Sequence, residues 1–286
     1  MSAMKASKVD LSKVTISSLK TLDNGAKMCY VNYNGGVSPM YLQTPEVDIP
    51  FDASYYSDNE KSGKYQVRFS LKDLDDNKSI RDFHSKMVEM DNFLKEKALE
   101  NSVSWFKKAK MSMDTIDSLY TPMVKQHLDP ESGEPTGKYP DSFGFKIVKK
   151  DGKVQCPMYN EDKVYFDVNG ETENPTTVER VLVKGSKVKV VLRCNGVWVA
   201  NGKFGCTWRA EQMLVKVPDG GLNEFAIQSD SDDEDDVENN VEEKPTNLID
   251  DSDDSSSDNE QEEEVVEEVK PKKKVVRKKV VKKASN

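Results

Sequence analysis

The sequence predicts a mainly β domain with inserted helices, an α+β fold, followed by a disordered C-terminal tail. Several short segments alternate apolar and polar residues, which is the period of a half-buried strand. Between them, one segment carries apolar residues at spacings of three and four, which is the period of a helix. After Gln228 the chain consists mostly of serine, aspartate and glutamate, so no core is expected there. We therefore expect a domain over 1–228, a disordered acidic tail over 229–269 and a disordered basic cluster over 270–286.

The strands and helices follow from these periods. Four apolar residues share one face of the clearest strand: Tyr65, Val67, Phe69 and Leu71. Further strands are predicted over 27–33, 143–148 and 163–168. Five apolar residues share one stripe of the predicted helix: Ile80, Phe83, Met87, Met90 and Leu94. A weaker helix is predicted over 114–127, so the helical insertion covers about 76–128. The segment 129–141 is rich in proline, glycine and charge and predicts a loop.

Charge is distributed unevenly along the 286 residues, whose formal net charge is -9. The segment 229–269 holds 20 aspartates and glutamates against the single Lys244, and 270–286 holds nine lysines and arginines and no acid. The first 228 residues carry 32 basic and 31 acidic side chains. The predicted domain is therefore nearly neutral, and a preference for a charged partner must come from how its charges are arranged.

The sequence contains no pattern typical of a membrane segment or a metal site. It has no run of 18 apolar residues and no apolar signal segment, so we expect neither a membrane-spanning nor a secreted protein. Four cysteines without CxxC spacing are expected to be reduced thiols. The two histidines, His84 and His127, are far apart, so no zinc site is predicted.

Two candidate catalytic patterns have simpler structural explanations. The segment 149–152 resembles the KxDG motif of covalent nucleotidyltransferases, but about 76 residues of domain follow it, which is short for that family, so we interpret it as a turn with Asp-Gly at its tip. Asp73, Asp75 and Asp76 could be metal ligands, but we interpret them as a strand-to-helix connection with an N-capping carboxylate. We therefore expect that the protein has no enzymatic activity and binds no cofactor.

The most informative stretch is 187–210, which contains two Asn-Gly pairs flanked by strand-forming residues. Asn-Gly favours the two-residue type I′ turn, because both central positions need positive φ. Turns at Asn195-Gly196 and Asn201-Gly202 predict a three-stranded meander in which Trp198 lies opposite Arg193 on one side and Gly205 on the other. Alternation then assigns nine side chains to the core face: Val188, Val190, Leu192, Cys194, Val197, Val199, Phe204, Cys206 and Trp208.

The opposite face of this meander is predicted to be a basic surface without acidic residues. It carries five cations around one indole: Lys187, Lys189, Arg193, Lys203, Arg209 and Trp198. An aromatic ring within a basic sheet suits single-stranded nucleic acid, because bases stack on the ring and cations neutralise phosphates. A solvated outer face, with Trp198 shielding Gly205 or packing under the helices, explains the pattern equally well.

Two further residues are weaker candidates for nucleic-acid binding. Trp105 lies next to Lys107, Lys108 and Lys110 and could add a second stacking site, although aromatic residues near a helix more often belong to the core. Arg68 could extend the basic surface along an earlier strand, although a solvated strand face has the same pattern.

The tail admits several functions that the sequence leaves open. The acidic run could only solvate, could occupy the basic surface as a weak mimic of phosphate, or could recruit basic partner proteins. Four of its serines precede acids by three residues, the pattern of acidophilic kinase sites: Ser229, Ser231, Ser255 and Ser257. The basic segment 271–279 resembles a nuclear localisation signal, but it could also bind nucleic acid or pair with the acidic run.

The stretch 196–215, GVWVANGKFGCTWRAEQMLV, resembles the single-stranded DNA-binding proteins of nucleocytoplasmic large DNA viruses of algae and amoebae. The resemblance covers most of 1–217 and implies an OB-like antiparallel β-barrel with inserted helices. Phage single-stranded DNA-binding proteins have a similar layout of an OB barrel and an acidic tail, whereas this chain ends in a basic cluster.

The residues and the resemblance together predict a protein that coats single-stranded DNA in viral replication, recombination or repair. RNA is an alternative ligand, and replication or recombination proteins are expected to bind the acidic tail. No membrane contact is expected, and a homodimer is left open. The expected location is the host nucleus or a cytoplasmic viral factory, with packaging in the virion open. The alternative function is that of a histone-chaperone-like or scaffold protein whose acidic tail binds basic partners.

Overall fold

The computed structural model describes residues 3–22, 25–36 and 38–218. The predicted acidic tail and basic cluster lie outside the described residues. The strands in chain order are β1 Met4–Lys5, β2 Val14–Ile16, β3 Lys20–Thr21, β4 Lys27–Cys29, β5 Val31–Tyr33, β6 Ser38–Pro39, β7 Tyr41–Gln43, β8 Val47–Asp48, β9 Ser54–Asn59, β10 Ser62–Ser70, β11 Tyr120–Thr121, β12 Val124–Lys125, β13 Ser142–Lys150, β14 Lys153–Val154, β15 Met158–Tyr159, β16 Lys187–Ala200 and β17 Lys203–Lys216. The helices are α1 Lys78–Glu100, α2 Ser102–Phe106, α3 Met113–Leu119 and α4 Val178–Val181, with 3-10 turns at Ala6–Lys8 and Leu11–Lys13. No helix among these residues has the length and apolar character needed to span a bilayer.

One large sheet organises the domain, and its path runs β1-β7-β16-β17-β13-β10-β9. The long strands β16 and β17 form an antiparallel hairpin, and β13 continues the sheet through a parallel contact between Lys146 and Arg209. Strands β2, β5 and β6 form a second, small sheet. The mainly β, α+β fold is therefore confirmed. The path between β1 and β9 stays open along the described strands, so they show no closed barrel.

The turn between β16 and β17 forms where the sequence predicts it. Asn201 and Gly202 have φ values of 49° and 80°, and Ala200 pairs with Lys203. Asp151 and Gly152, with φ values of 52° and 80°, form the same two-residue connection between β13 and β14. Both Xaa-Gly pairs supply the two positive φ angles that a type I′ turn requires.

The turn predicted at Asn195-Gly196 is wrong, because β16 continues straight through it. The register with β17 shifts between Cys194 and Gly196, which is a β-bulge. Gly196 has φ of 124°, and a Cβ there would lie 2.3 Å from the carbonyl oxygen of Cys29. Glycine is thus required by the close approach of the N-terminal chain rather than by a reversal. The extra residue of the bulge shifts the in–out alternation of β16 by one position, as the predicted turn would have done. The side chains assigned to the core face therefore stay on it: all nine are buried except Cys206, which is partly buried.

The long helix α1 covers the inner face of β10 and β13. Its five-residue apolar stripe is buried as predicted. Phe83 lies 5.7 Å from Phe69 and 5.4 Å from Phe143 between ring centroids, which ties the helix to both strands. The N-cap is Asn77, whose side-chain oxygen accepts hydrogen bonds from two backbone N–H groups, so the predicted capping carboxylate is wrong.

Three other segments differ from their predicted elements because sheet pairing overrides local pattern. The helix predicted over 114–127 ends at Leu119, since Tyr120–Thr121 pairs in parallel with β17. The strand predicted over 27–33 divides at Tyr30, and β4 and β5 join different sheets. The segment 163–168 forms no strand and makes one bridge, between Tyr159 and Tyr165.

Candidate nucleic-acid interface

The outer face of the β16–β17 hairpin is the surface on which the sequence predicts binding. Trp198 lies directly opposite Gly205, as predicted, and Val197 and Val199 on either side of it are buried. A Cβ at residue 205 would lie 2.9 Å from Cζ2 of the indole and 3.0 Å from the Thr121 carbonyl oxygen. Glycine therefore lets the ring lie close against the backbone of β17. Trp198 as a whole residue is partly exposed.

Two arginines form the next part of this face, and they enclose a carboxylate that the sequence analysis did not expect. Arg193 lies opposite Arg209 in the ladder. The Nε of Arg209 donates to Oε1 of Glu211 at 2.6 Å, and Nη1 of Arg193 lies 3.8 Å from the same oxygen. Ala210 and Gln212 pair with adjacent residues of β16, so Glu211 is the extra residue of a second bulge and has no ladder partner in β16. This bulge brings its side chain to the outer face. The expectation of an acid-free face is therefore wrong.

A third cation on this face comes from a neighbouring strand. Lys146 of β13 lies opposite Arg209. Its neighbours along the strand, Phe145 and Ile147, are buried, so Lys146 points to the outer side. Arg193, Arg209 and Lys146 thus lie side by side in this part of the sheet, and Glu211 contacts the two arginines. Lys146 escaped the sequence analysis because the parallel contact of β13 with β17 has no local signal, although the alternation of 143–148 already separated its side chain from the core.

The structure does not bring all the predicted cations together. Lys187 lies eleven residues from Trp198 along β16, which corresponds to about 36 Å. It is opposite Asp48 in the ladder, and Lys189 lies 3.8 Å from Glu46. Both lysines therefore belong to the far end of the strand, where carboxylates accompany them. Lys203 is exposed and lies two residues from Gly205, close to the indole.

The other two candidates have different surroundings. Trp105 is 3% exposed, and its ring centroid lies 6.0 Å from that of Phe204 on the inner side of the hairpin. This corrects the expectation of an exposed second stacking ring, because helix α2 turns the indole into the core. Arg68 is partly exposed on β10 opposite Gly144, two strands away from β17. Arg68 therefore remains a candidate at the margin of the surface.

The N-terminal strands add residues that the sequence analysis missed. Met28 of β4 pairs with Trp198, and Lys20 of β3 pairs with Met28, so one row of the sheet contains a lysine, a methionine and the indole. The next outward residue, Tyr30, has 39% of its surface exposed. The alternation over 27–33 predicts that Met28 and Tyr30 share a face. Only the pairing of β4 with β16, more than 160 residues away, shows that this face is the one that carries Trp198.

Several polar groups elsewhere in the described residues have structural partners. No group of three or more histidine, cysteine, aspartate or glutamate side chains in that part of the chain could hold a metal ion. His84 Nε2 lies 2.8 Å from Asp141. Asp91 is 5% exposed, and it accepts hydrogen bonds from the Tyr120 hydroxyl and the Met123 N–H. Burial raises the pKa of its carboxyl to about 6, although both hydrogen bonds and the charge of nearby Lys95 act in the opposite direction.

Comparison with known proteins gives structural likeness without a family. No family model and no curated protein matches the chain. The chain is similar to the single-stranded DNA-binding protein from bacteriophage Enc34 in complex with ssDNA, at 12% identity and a TM-score of 0.40, over 73% of this chain and 99% of that one. It is also similar to gp2.5, a single-stranded DNA-binding protein encoded by bacteriophage T7, at 12% identity and a TM-score of 0.38, over 68% of this chain and 98% of that one. At these values the likeness assigns no family and no residue role, and the viral family expected from the sequence stays a prediction.

Proposed function

We propose that the outer face of the β16–β17 hairpin binds single-stranded DNA and that the protein acts without catalysis. One base stacks on Trp198, and Lys203, Arg209 and Lys146 contact the phosphates on either side of it. The observation that carries the proposal is the partly exposed indole held against Gly205 within a cationic surface. Aromatic rings in positively charged grooves bind single strands with little sequence preference.

The spacing of the cations supports a strand that runs along the hairpin. On β17, Lys203 and Arg209 lie two and four residues from Gly205, which corresponds to about 7 Å and 13 Å in opposite directions. The indole therefore has a cation on each side along the strand. Glu211 holds the guanidinium of Arg209 in a fixed position, and Arg193 and Lys146 lie opposite Arg209 on the two neighbouring strands.

This arrangement predicts a salt-dependent affinity. Each phosphate that a cation neutralises releases counterions, which contributes about 0.7 to the slope of log affinity against log salt for a single strand. Three phosphate contacts give a slope of about 2. Base stacking on one indole contributes about 1–3 kcal/mol.

The test is a titration of labelled oligo(dT) by fluorescence anisotropy at two salt concentrations. We expect Trp198→Ala to weaken binding with an unchanged salt slope, and Arg209→Gln to weaken binding and lower the slope. Lys153→Gln is the matched control, because Lys153 is exposed, lies at the turn between β13 and β14 and forms an ion pair with Glu171. Equal affinities for Trp198→Ala and the wild-type protein would remove Trp198 from the site. Absence of binding to single-stranded DNA, with duplex DNA and RNA as comparison ligands, would refute the proposal.

We further propose that this binding serves replication, recombination or repair. We also propose that the domain is a variant of the OB-like barrel fold. The competing function, a scaffold that binds basic partners, is favoured by the 20 acids of 229–269. Deletion of 229–286 distinguishes the two. Under our proposal the shortened protein binds oligo(dT) as tightly as the full chain or more tightly, whereas a scaffold loses its partners. Docking of replication or recombination proteins to the tail is tested by the same deletion.

A further inference from the structure

Tyr30 is an exposed aromatic residue on the same face as Trp198. Cys29 and Val31 on either side of it are buried at 0% and 1% exposure, so Met28 and Tyr30 both point outward. Met28 pairs with Trp198 in the ladder. Tyr30 follows β4 directly, and the Nζ of Lys20, the ladder partner of Met28, lies over its ring, so Tyr30 is on the same side of the sheet as the indole.

The backbone of Tyr30 is fixed at this position by two kinds of contact. Its N–H donates to the Ser17 hydroxyl at 2.8 Å, and its carbonyl oxygen accepts from the Ser17 N–H at 2.9 Å. On the other side, the Cα of Tyr30 would lie 3.2 Å from a Cβ at Gly196, so the bulge in β16 fits against it. The backbone that carries the ring is thus held in place, so binding a ligand here needs no reordering of the main chain.

A cation accompanies the tyrosine ring. The Nζ of Lys20 lies 5.3 Å from the ring centroid of Tyr30, and Lys20 pairs with Met28 across β3 and β4. The two rings and the lysine therefore surround Met28. A base needs an aromatic surface and its phosphate needs a cation, and both are present here within the span of one nucleotide.

We infer that Tyr30 and Lys20 form a second nucleotide subsite next to Trp198, in which a base stacks on the tyrosine ring and the adjacent phosphate contacts the lysine. This inference rests on the proposed function and adds the N-terminal strands β3 and β4 to its surface. Binding would then join the hairpin to residues that lie more than 160 positions earlier in the chain.

The chain offers a matched control for this subsite. Tyr139 is also exposed, at 53%, and the Nζ of Lys138 lies 5.2 Å from its ring centroid. Its ring packs against His127 in the loop that precedes β13. Tyr139 therefore resembles Tyr30 in its exposure and in its neighbouring cation. It differs in location, because it does not adjoin the paired strands β4 and β16.

The experiment compares Tyr30→Leu, Lys20→Gln and Tyr139→Leu with the wild-type full chain in oligo(dT) titrations. We expect Tyr30→Leu to weaken binding about 5- to 150-fold, the loss of one stacked base, with the salt slope unchanged. Lys20→Gln should lower the salt slope by about 0.7, the value for one phosphate. Tyr139→Leu should bind like the wild type, and thermal unfolding should show that all three variants are folded.

The outcomes separate this inference from the proposed function. If the wild-type protein binds oligo(dT) and Tyr30→Leu binds as tightly as Tyr139→Leu, the second subsite is refuted while the proposed function stands. If Tyr30→Leu and Tyr139→Leu weaken binding equally, the effect is not specific to this position and the subsite is also refuted. If the wild-type protein does not bind single-stranded DNA, both proposals are wrong.

Discussion

Substitution of the buried Asp91 by asparagine should change how the stability of the protein depends on pH. Asp91 lies on helix α1, and its carboxyl accepts hydrogen bonds from the Tyr120 hydroxyl and the Met123 N–H. Met123 in turn accepts a hydrogen bond from the Trp208 indole N–H at 3.0 Å, so the carboxyl links the helix to the inner face of the hairpin. Asparagine keeps an acceptor oxygen of similar size but removes the ionisation.

The expected magnitude follows from the raised pKa of this carboxyl, about 6 in the folded protein against an ordinary value of 3.8. The folded state binds the proton more tightly than the unfolded state, so the stabilisation is fully present below pH 3.8 and is lost as the pH rises to about 6. The difference of about 2 pKa units corresponds to about 3 kcal/mol of unfolding free energy. The unfolding free energy of Asp91→Asn, measured relative to that of the wild-type protein, should therefore increase by about 3 kcal/mol as the pH rises from 4 to 7.

The assay is urea unfolding of both proteins at pH 4, 5, 6 and 7, followed by tryptophan fluorescence. Asp117→Asn is the control, because Asp117 forms an ion pair with Lys95 near the same helix but has a side chain 48% exposed. The control should show no comparable gain over this range. A difference between Asp91→Asn and the wild type that is the same at pH 4 and pH 7 would show that the carboxyl ionises no differently in the folded and unfolded states.

Three further substitutions test the geometry of the hairpin. Gly205→Ala should push the Trp198 ring from its place, because the new Cβ would lie 2.9 Å from it, and we expect weaker oligo(dT) binding and stronger acrylamide quenching; unchanged quenching would contradict the assigned contact. Gly196→Ala should lower the unfolding free energy by at least roughly 1–3 kcal/mol, measured by urea unfolding, because the residue combines φ of 124° with the 2.3 Å approach of the Cys29 carbonyl oxygen. Glu211→Gln should raise the affinity for oligo(dT) at low salt and steepen the salt dependence, because it removes the carboxylate that contacts two guanidinium groups; a loss of affinity would show that holding the guanidiniums in position outweighs their charge.

The hairpin shows how much of the fold local pattern can predict. The sequence predicts the turn at Asn201-Gly202 and the pairing of Trp198 with Gly205, since both depend on residues a few positions apart. The same dipeptide at 195–196 forms a bulge instead, because a strand from the N-terminal region packs against Gly196. A type I′ turn needs positive φ at this glycine, the observed bulge has φ of 124° there, and both structures keep the apolar residues on one face. Local sequence therefore predicts the faces here and leaves the topology undecided.

The candidate site depends on the same distinction. Trp198, Lys203 and Arg209 are found from the alternation of one hairpin. Lys146 and Tyr30 reach this face through pairings with β13 and β4, whose registers have no signal in a single sequence. Glu211 escaped prediction because it occupies an extra position in a bulge, which local alternation does not show. Trp105 has lysines close by in sequence, but the turn of α2 directs its ring inward.

Strand β16 has partners at the beginning of the chain, with β8, β7 and β4 along one of its edges. About 140 residues separate Asp48 from its ladder partner Lys187, and a ribosome adds roughly 5–20 residues per second. The first strands therefore leave the ribosome several seconds before the strand that completes their hydrogen bonding is made. During that interval their unpaired edges are available to other nascent chains. The sheet can be completed only after the last thirty or so described residues have been synthesised.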